Sequence, residues 1–295
     1  MTLSTDSSRL VLGTVQFGRN YGIANRSGQV ATEEARRVLH LARANGVDTL
    51  DTAIEYGNAE ARLGELGVAD FKIVTKVPAL SSAEDDVNSW LLTRVEESLQ
   101  RLRVQRLYGL LLHHAPDLFG AAANRLVKAL GRVRDAGLVE HIGVSIYEPS
   151  DLELADATGT FGLVQAPMNV FDRRIVDSGL LARLQGAGVE VHLRSAFLQG
   201  LLLMSATAVP TTFAPWQPRF ERWQAWCREN SLTPLQACLA HVRSAAPGAK
   251  IVVGCDNAEQ FAEILEAVRQ PPLEVPDEFR SGDLRLINPA LWSRT

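Results

Sequence analysis

Apolar and polar positions along the chain alternate between two rhythms. Short, nearly continuous apolar runs recur as "RLVLGT", "GVDTLD", "FKIVTK", "RLYGLLLH", "HIGVS", "GLVQAP", "VEVHLRS" and "AKIVVG", and each predicts a buried β-strand. Between them lie stretches whose apolar residues return at three- and four-residue steps, with charge on the opposite face. These predict helices: "TEEARRVLHLARANG", "NAEARLGELG", "DDVNSWLLTRVEESLQRL", "GAAANRLVKALGRVRDAG", "PSDLELADATG", "SGLLARLQGAG", "RFERWQAWCREN" and "TPLQACLAHVRSA". Gly46, Gly137 and Gly188 stand where a left-handed residue ends a helix. Thr32 and Thr233 stand where N-caps belong.

Strands separated by helical crossovers must pair in parallel. Eight such units within 295 residues predict an α/β fold, a closed (β/α)8 TIM barrel in a single domain over 1–295. An open doubly wound sheet is the alternative, but it usually carries a Gly-rich turn after its first strand, and "GTVQFG" lacks the G-x-G-x-x-G form. The segment at about 203–218, which includes Pro-rich "VPTTFAPWQP", reads as a long loop after the seventh strand. Residues from about 270 to 295 read as a C-terminal tail.

Composition narrows the function. A formal net charge of −4 argues against nucleic acid as a partner. "MTLSTDSSRLVLG" has neither a basic n-region nor an apolar core, so no secretion signal is expected, and no apolar run reaches membrane-spanning length. Cys227, Cys238 and Cys255 are widely spaced and odd in number, which fits reduced thiols in the cytoplasm and neither a disulfide framework nor a metal site.

The candidate chemistry lies at strand ends, because a (β/α)8 barrel draws its catalytic groups from the C-terminal rim. The second strand ends on Asp51, the third on Lys76 and the fourth on His113 or His114, with Tyr56 in the loop after the second. Each has a plainer reading alone: a cap, a surface lysine, a loop anchor (equally open to Tyr21), a rim histidine. Together on adjacent strands they suit proton transfer. An ordinary phenol, with a pKa of about 10, is a poor acid near neutrality. A lysine about 4 Å away favours the phenolate by roughly 4 kcal/mol at an effective dielectric of 20. An aspartate beside that lysine would orient it. No H-E-x-x-H, paired-Cys or G-x-S-x-G spacing competes with this set. Protonating a carbonyl oxygen while hydride reaches its carbon is a natural use, and hydride calls for a nicotinamide.

At these residues the chain resembles the aldo-keto reductase family along nearly its whole length. The resemblance rests on "LGTVQFG", "GVDTLDTAIEYGNAEARLGE", "IVTKV", "LRVQRLYGLLLHH", "IGVS", "LVQAPMN" and "IVVGCDNAEQ". It implies a catalytic set of Asp51, Tyr56, Lys76 and His113, the histidine chosen by its spacing from Leu102, with His114 favoured instead if Pro116 is the anchor. It further implies that Gly13, Thr14 and Asp51 border the cofactor, and that Ser145 and Gln165 hold a nicotinamide carboxamide. Arg194 falls where many members carry a stacking aromatic. Ser195, Phe197, Gln199 and Gly200 align with the loop over the pyrophosphate. Gly254, Asn257 and Gln260 align with the adenosine end, where the Lys, Ser or Arg that often grips a 2′-phosphate is missing and Asp256 opposes one. The cofactor implied is therefore NADPH, the family default, or NADH. The implied substrate is a small carbonyl compound, including sugar-derived ones, in a mouth with Phe17, Tyr21, Trp90, His114 and Trp216 as wall candidates. Rival readings are a redox-silent barrel that binds the nucleotide and regulates a partner, and a lyase or isomerase using Lys76 as a Schiff base.

Overall fold

The structure, a computed structural model, describes residues 6–81, 84–152 and 161–292. Eight strands close into a parallel barrel in sequence order: β1 (Leu10–Gly13), β2 (Thr49–Asp51), β3 (Lys72–Val77), β4 (Leu107–Leu112), β5 (Val139–Ser145), β6 (Leu163–Pro167), β7 (Glu190–Arg194) and β8 (Lys250–Val253). All eight predicted strands are present. They read as continuous apolar runs because one face meets the helices and the other fills the barrel. Helices Thr32–Ala44, Val87–Leu102 and Ala123–Asp135 wrap the outside, each burying one apolar stripe, while Pro234–Ala245 is buried on every side from Ala237 to Arg243.

The punctuation is mostly as the sequence indicates. Gly46, Gly137 and Gly188 have φ of +73°, +78° and +76°. Thr233 makes a full capping box with Gln236. Thr32 does not cap: Ala31 is the N-cap, without a side-chain bond, and Thr32 is the first helical residue. Of the predicted helix "PSDLELADATG", Pro149–Leu152 form a 3-10 turn and the rest lies outside the described residues. A helix absent from the predicted stretches, Ala258–Ala267, follows β8.

The segment after β7 is less irregular than a loop. It is a succession of 3-10 turns, Leu201–Leu203, Ala206–Ala208 and Thr211–Trp216, running into helix Gln217–Glu229. That helix pins it through Trp223 Nε1 to Leu202 O (3.0 Å) and Gln224 Nε2 to Met204 O (2.7 Å). The C-terminal segment returns Phe279 against Trp223 and Trp226, with ring centroids 5.5 and 5.9 Å away.

Strand alternation sorts the barrel interior into layers. Val74, Leu111 and Leu163 form a small apolar cluster separate from the main core. Toward the N-terminal end lies a polar floor. Glu190 accepts from Tyr108 Oη (2.5 Å) and meets His192 Nε2 (2.6 Å). Lys250 Nζ reaches Thr49 Oγ1 (2.9 Å), Glu190 (3.7 Å) and Asp48 (3.6 Å), and Lys72 pairs with Asp48 at 3.0 Å. Toward the C-terminal end the inward positions are Asp51, Lys76, Ser145, Gln165 and Arg194.

Candidate active site

Asp51 ends β2 in register with Val74, which puts Lys76 two residues further up β3. The Lys76 ammonium reaches back to Asp51, with Nζ 2.8 and 2.7 Å from the two carboxylate oxygens and 2.8 Å from Thr52 O. Both side chains are almost wholly buried. Burial presses the lysine toward its neutral form, and the Asp51 carboxylate opposes that pressure.

Tyr56 arrives from the turn after β2. Gly57 has φ +62°, and a Cβ on it would lie 2.3 Å from Gly18 O. A Cβ on Gly18 would lie 1.7 Å from Tyr56 O. Two glycines are thus needed for this turn to dock against the chain after β1, which explains the Y-G pair. The phenol oxygen stands 3.5 Å from Lys76 Nζ, the longest of that lysine's contacts. The expectation that Lys76 draws the phenol's pKa down is corrected here. Burial first, then Asp51, push it up, with Arg194 in opposition. In the resting protein Tyr56 therefore holds its proton near neutrality.

His113, just beyond β4, meets Tyr56 edge-on, with ring centroids 5.8 Å apart. Its Nδ1 lies 2.9 Å from Glu55 Oε2 without hydrogen-bond alignment. Burial, helped by Lys76 and Arg194, drops its pKa to about 3, so the ring is neutral. His114 instead turns outward onto Asp117 (2.8 Å) with half its side chain exposed. Of the two histidines, His113 faces the cluster.

These groups open into a cavity of about 570 Å³ that runs past Gly13, Thr14, Ser145 and Gln165 to Gly254 and Gln260. Ser145 and Gln165 are register partners on β5 and β6, 3.5 Å apart through Oγ and Oε1. Gln165 Nε2 also donates to Asp51 Oδ1 at 2.6 Å, tying this pair to the catalytic candidates. Thr14 bonds Asp51 O through both N and Oγ1, each at 2.9 Å. Ser195, Leu198, Gln199 and Gly200 have φ of 62°, 49°, 55° and 87°, a contorted run that carries the segment across the opening. There Gln199 O accepts from Ala24 N (3.4 Å), and a Cβ on Gly200 would lie 2.5 Å from that of Ala24. Phe197 also borders the cavity.

Three sequence assignments take other roles. Arg194 lies over the Tyr147 ring at 4.3 Å and donates to Ile146 O at 2.9 Å. Asn257 caps helix Ala258–Ala267, accepting from Gln260 N (2.8 Å), and does not border the cavity. Gln260 Oε1 accepts from Asp256 N (2.8 Å), so it too serves the local turn. Among the wall candidates only Tyr21 borders the cavity. Phe17 is in the core, Trp90 lies within helix Val87–Leu102 and packs against the core, and Trp216 lines a separate groove with Arg219 and Phe279. Sequence reading missed Tyr147, two residues after Ser145, which borders the cavity and carries Arg194.

A closed parallel barrel with a buried acid–lysine pair and a partly buried tyrosine and histidine at its C-terminal mouth is the architecture of a (β/α)8 barrel. Residues 9–278 match the sequence model of the Aldo/keto reductase family, and the chain belongs to that family. It is 25% identical over 209 residues to the aldo-keto reductase YhdN of Bacillus subtilis (strain 168), covering 67% of this chain and 60% of YhdN. It is 34% identical over 135 residues to an aldo-keto reductase of Mycobacterium sp. (strain KMS), covering 44% of this chain and 48% of that protein. The matched stretch thus spans about half to three-fifths of these relatives. In fold it is similar to a glycerol dehydrogenase of Gluconobacter oxydans, with a TM-score of 0.69, 18% identity and coverage of 92% of this chain and 88% of that one. A Pseudomonas aeruginosa structure assigned as an aldo-keto reductase gives a TM-score of 0.66 at 23% identity over 89% of this chain and 90% of that one. Among the described residues, no helix is long and apolar enough to cross a membrane, and no group of three His, Cys, Asp or Glu is placed to hold a metal.

Proposed function

We propose that this chain is a nicotinamide-dependent reductase that converts an aldehyde or ketone, including sugar-derived ones, to an alcohol. One observation carries the reading: Tyr56, His113 and Asp51 open into the same cavity as the Ser145–Gln165 pair. The cavity suits a dinucleotide, being long, polar at its inner end and bridged by the Ser195–Gly200 run. The buried Gln16 Oε1 on its wall has no partner in the protein. Ser145 and Gln165 would hold the nicotinamide amide, and Gly13, Thr14, Ser195, Phe197, Gln199, Gly200, Gly254 and Gln260 would border the rest of NADPH or NADH. The bound cofactor supplies hydride.

The protein's own groups handle the oxygen. As negative charge builds there, the Tyr56 hydroxyl gives up its proton, and the adjacent Lys76 stabilises the phenolate left behind. Neutral His113 has one ring N–H to orient the carbonyl and carries no proton that could compete with the phenol. A Schiff-base role for Lys76 is disfavoured, because Asp51 and Thr52 O occupy its ammonium in a fully buried position. The three buried, unbridged cysteines fit a reducing cytoplasm.

The test has two stages. NADH and NADPH are titrated into the protein by quenching of tryptophan fluorescence, and turnover of an aldehyde and ketone panel is then followed by loss of reduced-nicotinamide absorbance. Binding with turnover supports the reading. Binding without turnover on the whole panel favours the redox-silent alternative, and no binding of either nucleotide refutes both.

A further inference from the structure

The far end of the cavity is acidic. Beyond Gly254 it is bordered by Asp256 and Glu263, and helix Ala258–Ala267 begins there. A helix N-terminus ordinarily welcomes a phosphate, because its first amides lack partners. Here side chains supply partners to two of them. Ala258 N donates to Glu34 Oε1 at 2.6 Å, and Gln260 N donates to Asn257 Oδ1 at 2.8 Å. Glu34 comes from the distant helix Thr32–Ala44 and is about three-quarters buried. Its second oxygen pairs with Arg37, whose side chain is mostly exposed. The negative field extends to Cys255, whose thiol is pushed up by burial, then by Asp256 and Glu34. Among the described residues bordering the cavity, the only arginines or lysines are Arg19 and Arg194. Both belong to the other end, bonded to Glu55 O and Ile146 O.

A ribose 2′-hydroxyl can donate to a carboxylate, whereas a 2′-phosphate is an acceptor carrying up to two negative charges. On the reading that the cavity holds a nicotinamide dinucleotide, we infer that Glu34 and Asp256 are specificity-determining residues that select NADH and exclude NADPH. Glu34 occupies the first amide of the helix that starts at the cavity's far end, and Asp256 adds like charge at the cavity wall. Sequence inspection marks the missing cation and the opposing Asp256; the carboxylate that the structure adds is Glu34. An installed carboxylate predicts discrimination.

The experiment is equilibrium titration of the cofactor-free protein with each nucleotide, read by tryptophan quenching and repeated calorimetrically. The wild-type protein binds NADH at least tenfold more tightly than NADPH, and added salt narrows the gap by screening the carboxylates. Glu34→Gln keeps an oxygen to cap Ala258 while removing the charge, and Asp256→Asn does likewise at the wall. Each tightens NADPH severalfold, and the double variant moves the preference between the two nucleotides toward NADPH by at least tenfold. Thermal melts of the variants establish that they are folded. Equal or tighter NADPH binding by the wild type overturns the inference and leaves the reductase reading intact, as does a double variant whose preference is unchanged. Failure of both nucleotides to bind removes the reading and the inference together.

Discussion

Replacing Tyr56 by Phe separates chemistry from architecture at this site, because the structure isolates the phenol oxygen. Among the described residues its one hydrogen-bond contact is the 3.5 Å approach to Lys76 Nζ, while that lysine's three shorter bonds go to Asp51 and Thr52. The ring keeps its edge contact with His113 and its place 5.0 Å from Lys76 Nζ. Removing the oxygen should therefore change folding stability by no more than about 1 kcal/mol and leave nucleotide affinity intact. Loss of a general acid costs on the order of 10²–10⁴-fold in rate, or about 2.7–5.5 kcal/mol of transition-state stabilisation. The loss should fall equally on kcat and kcat/KM, since the missing interaction belongs to the transition state. Tyr21→Phe, which alters another phenol bordering the same cavity, should change KM at most. The assay is steady-state loss of reduced nicotinamide with the best aldehyde, alongside thermal melts and fluorescence titration. A folded, nucleotide-binding Tyr56→Phe protein that turns over within tenfold of the parent refutes the assignment.

Lys76→Met strands a buried carboxylate and should cost about 3–5 kcal/mol of stability. Adding Asp51→Leu should restore the melting temperature without restoring turnover. His113 titrates at about 3 when folded and near 6.5 when unfolded. Between those values the unfolded chain holds a proton that the folded one does not, so stability falls as pH drops through that window, and His113→Asn should flatten the slope in denaturant titrations at pH 4 to 7. Gly200→Ala puts a methyl into Ala24 and a side chain at φ +87°, a strain on the order of 1–3 kcal/mol. It should loosen the bridge over the cavity and weaken nucleotide binding about tenfold, with the circular dichroism of the barrel unchanged.

The strands were legible because their burial pattern is written in consecutive residues, and the rim cluster because "DTAIEYG" places acid and phenol one turn apart. Information about direction was not legible. The sequence position of an aromatic does not declare which way its ring faces, so Phe17, Trp90 and Trp216 read as wall residues although they pack elsewhere. His114 looks equivalent to His113 until Asp117 is seen to hold it outward. Ala31 displaces Thr32 as a cap because the chain enters that helix one residue earlier than a hydroxyl would favour. The hardest feature to foresee is Glu34 on Ala258. The two are 224 residues apart, and nothing in the amphipathic pattern of Thr32–Ala44 separates that glutamate from Glu33 beside it. The tuning of Tyr56 also needed three dimensions, because the direction of its shift depends on burial and on Asp51.

The polar floor bears on how the chain folds. Lys250 joins Thr49, Asp48 and Glu190, so the network cannot be completed until residues some 200 positions apart have met. Arg9 closes the same seam from the other side, donating to Ala246 O and Ala249 O. Contacts of such long sequence separation carry a large loop-closure cost and form slowly. A growing chain therefore keeps an open sheet with two unpaired edges until β8 emerges, and those edges are its point of greatest exposure to misassembly. Once β8 seats against β1, the charges lock strands from both halves of the chain together, and the rim gains its rigid support in that step.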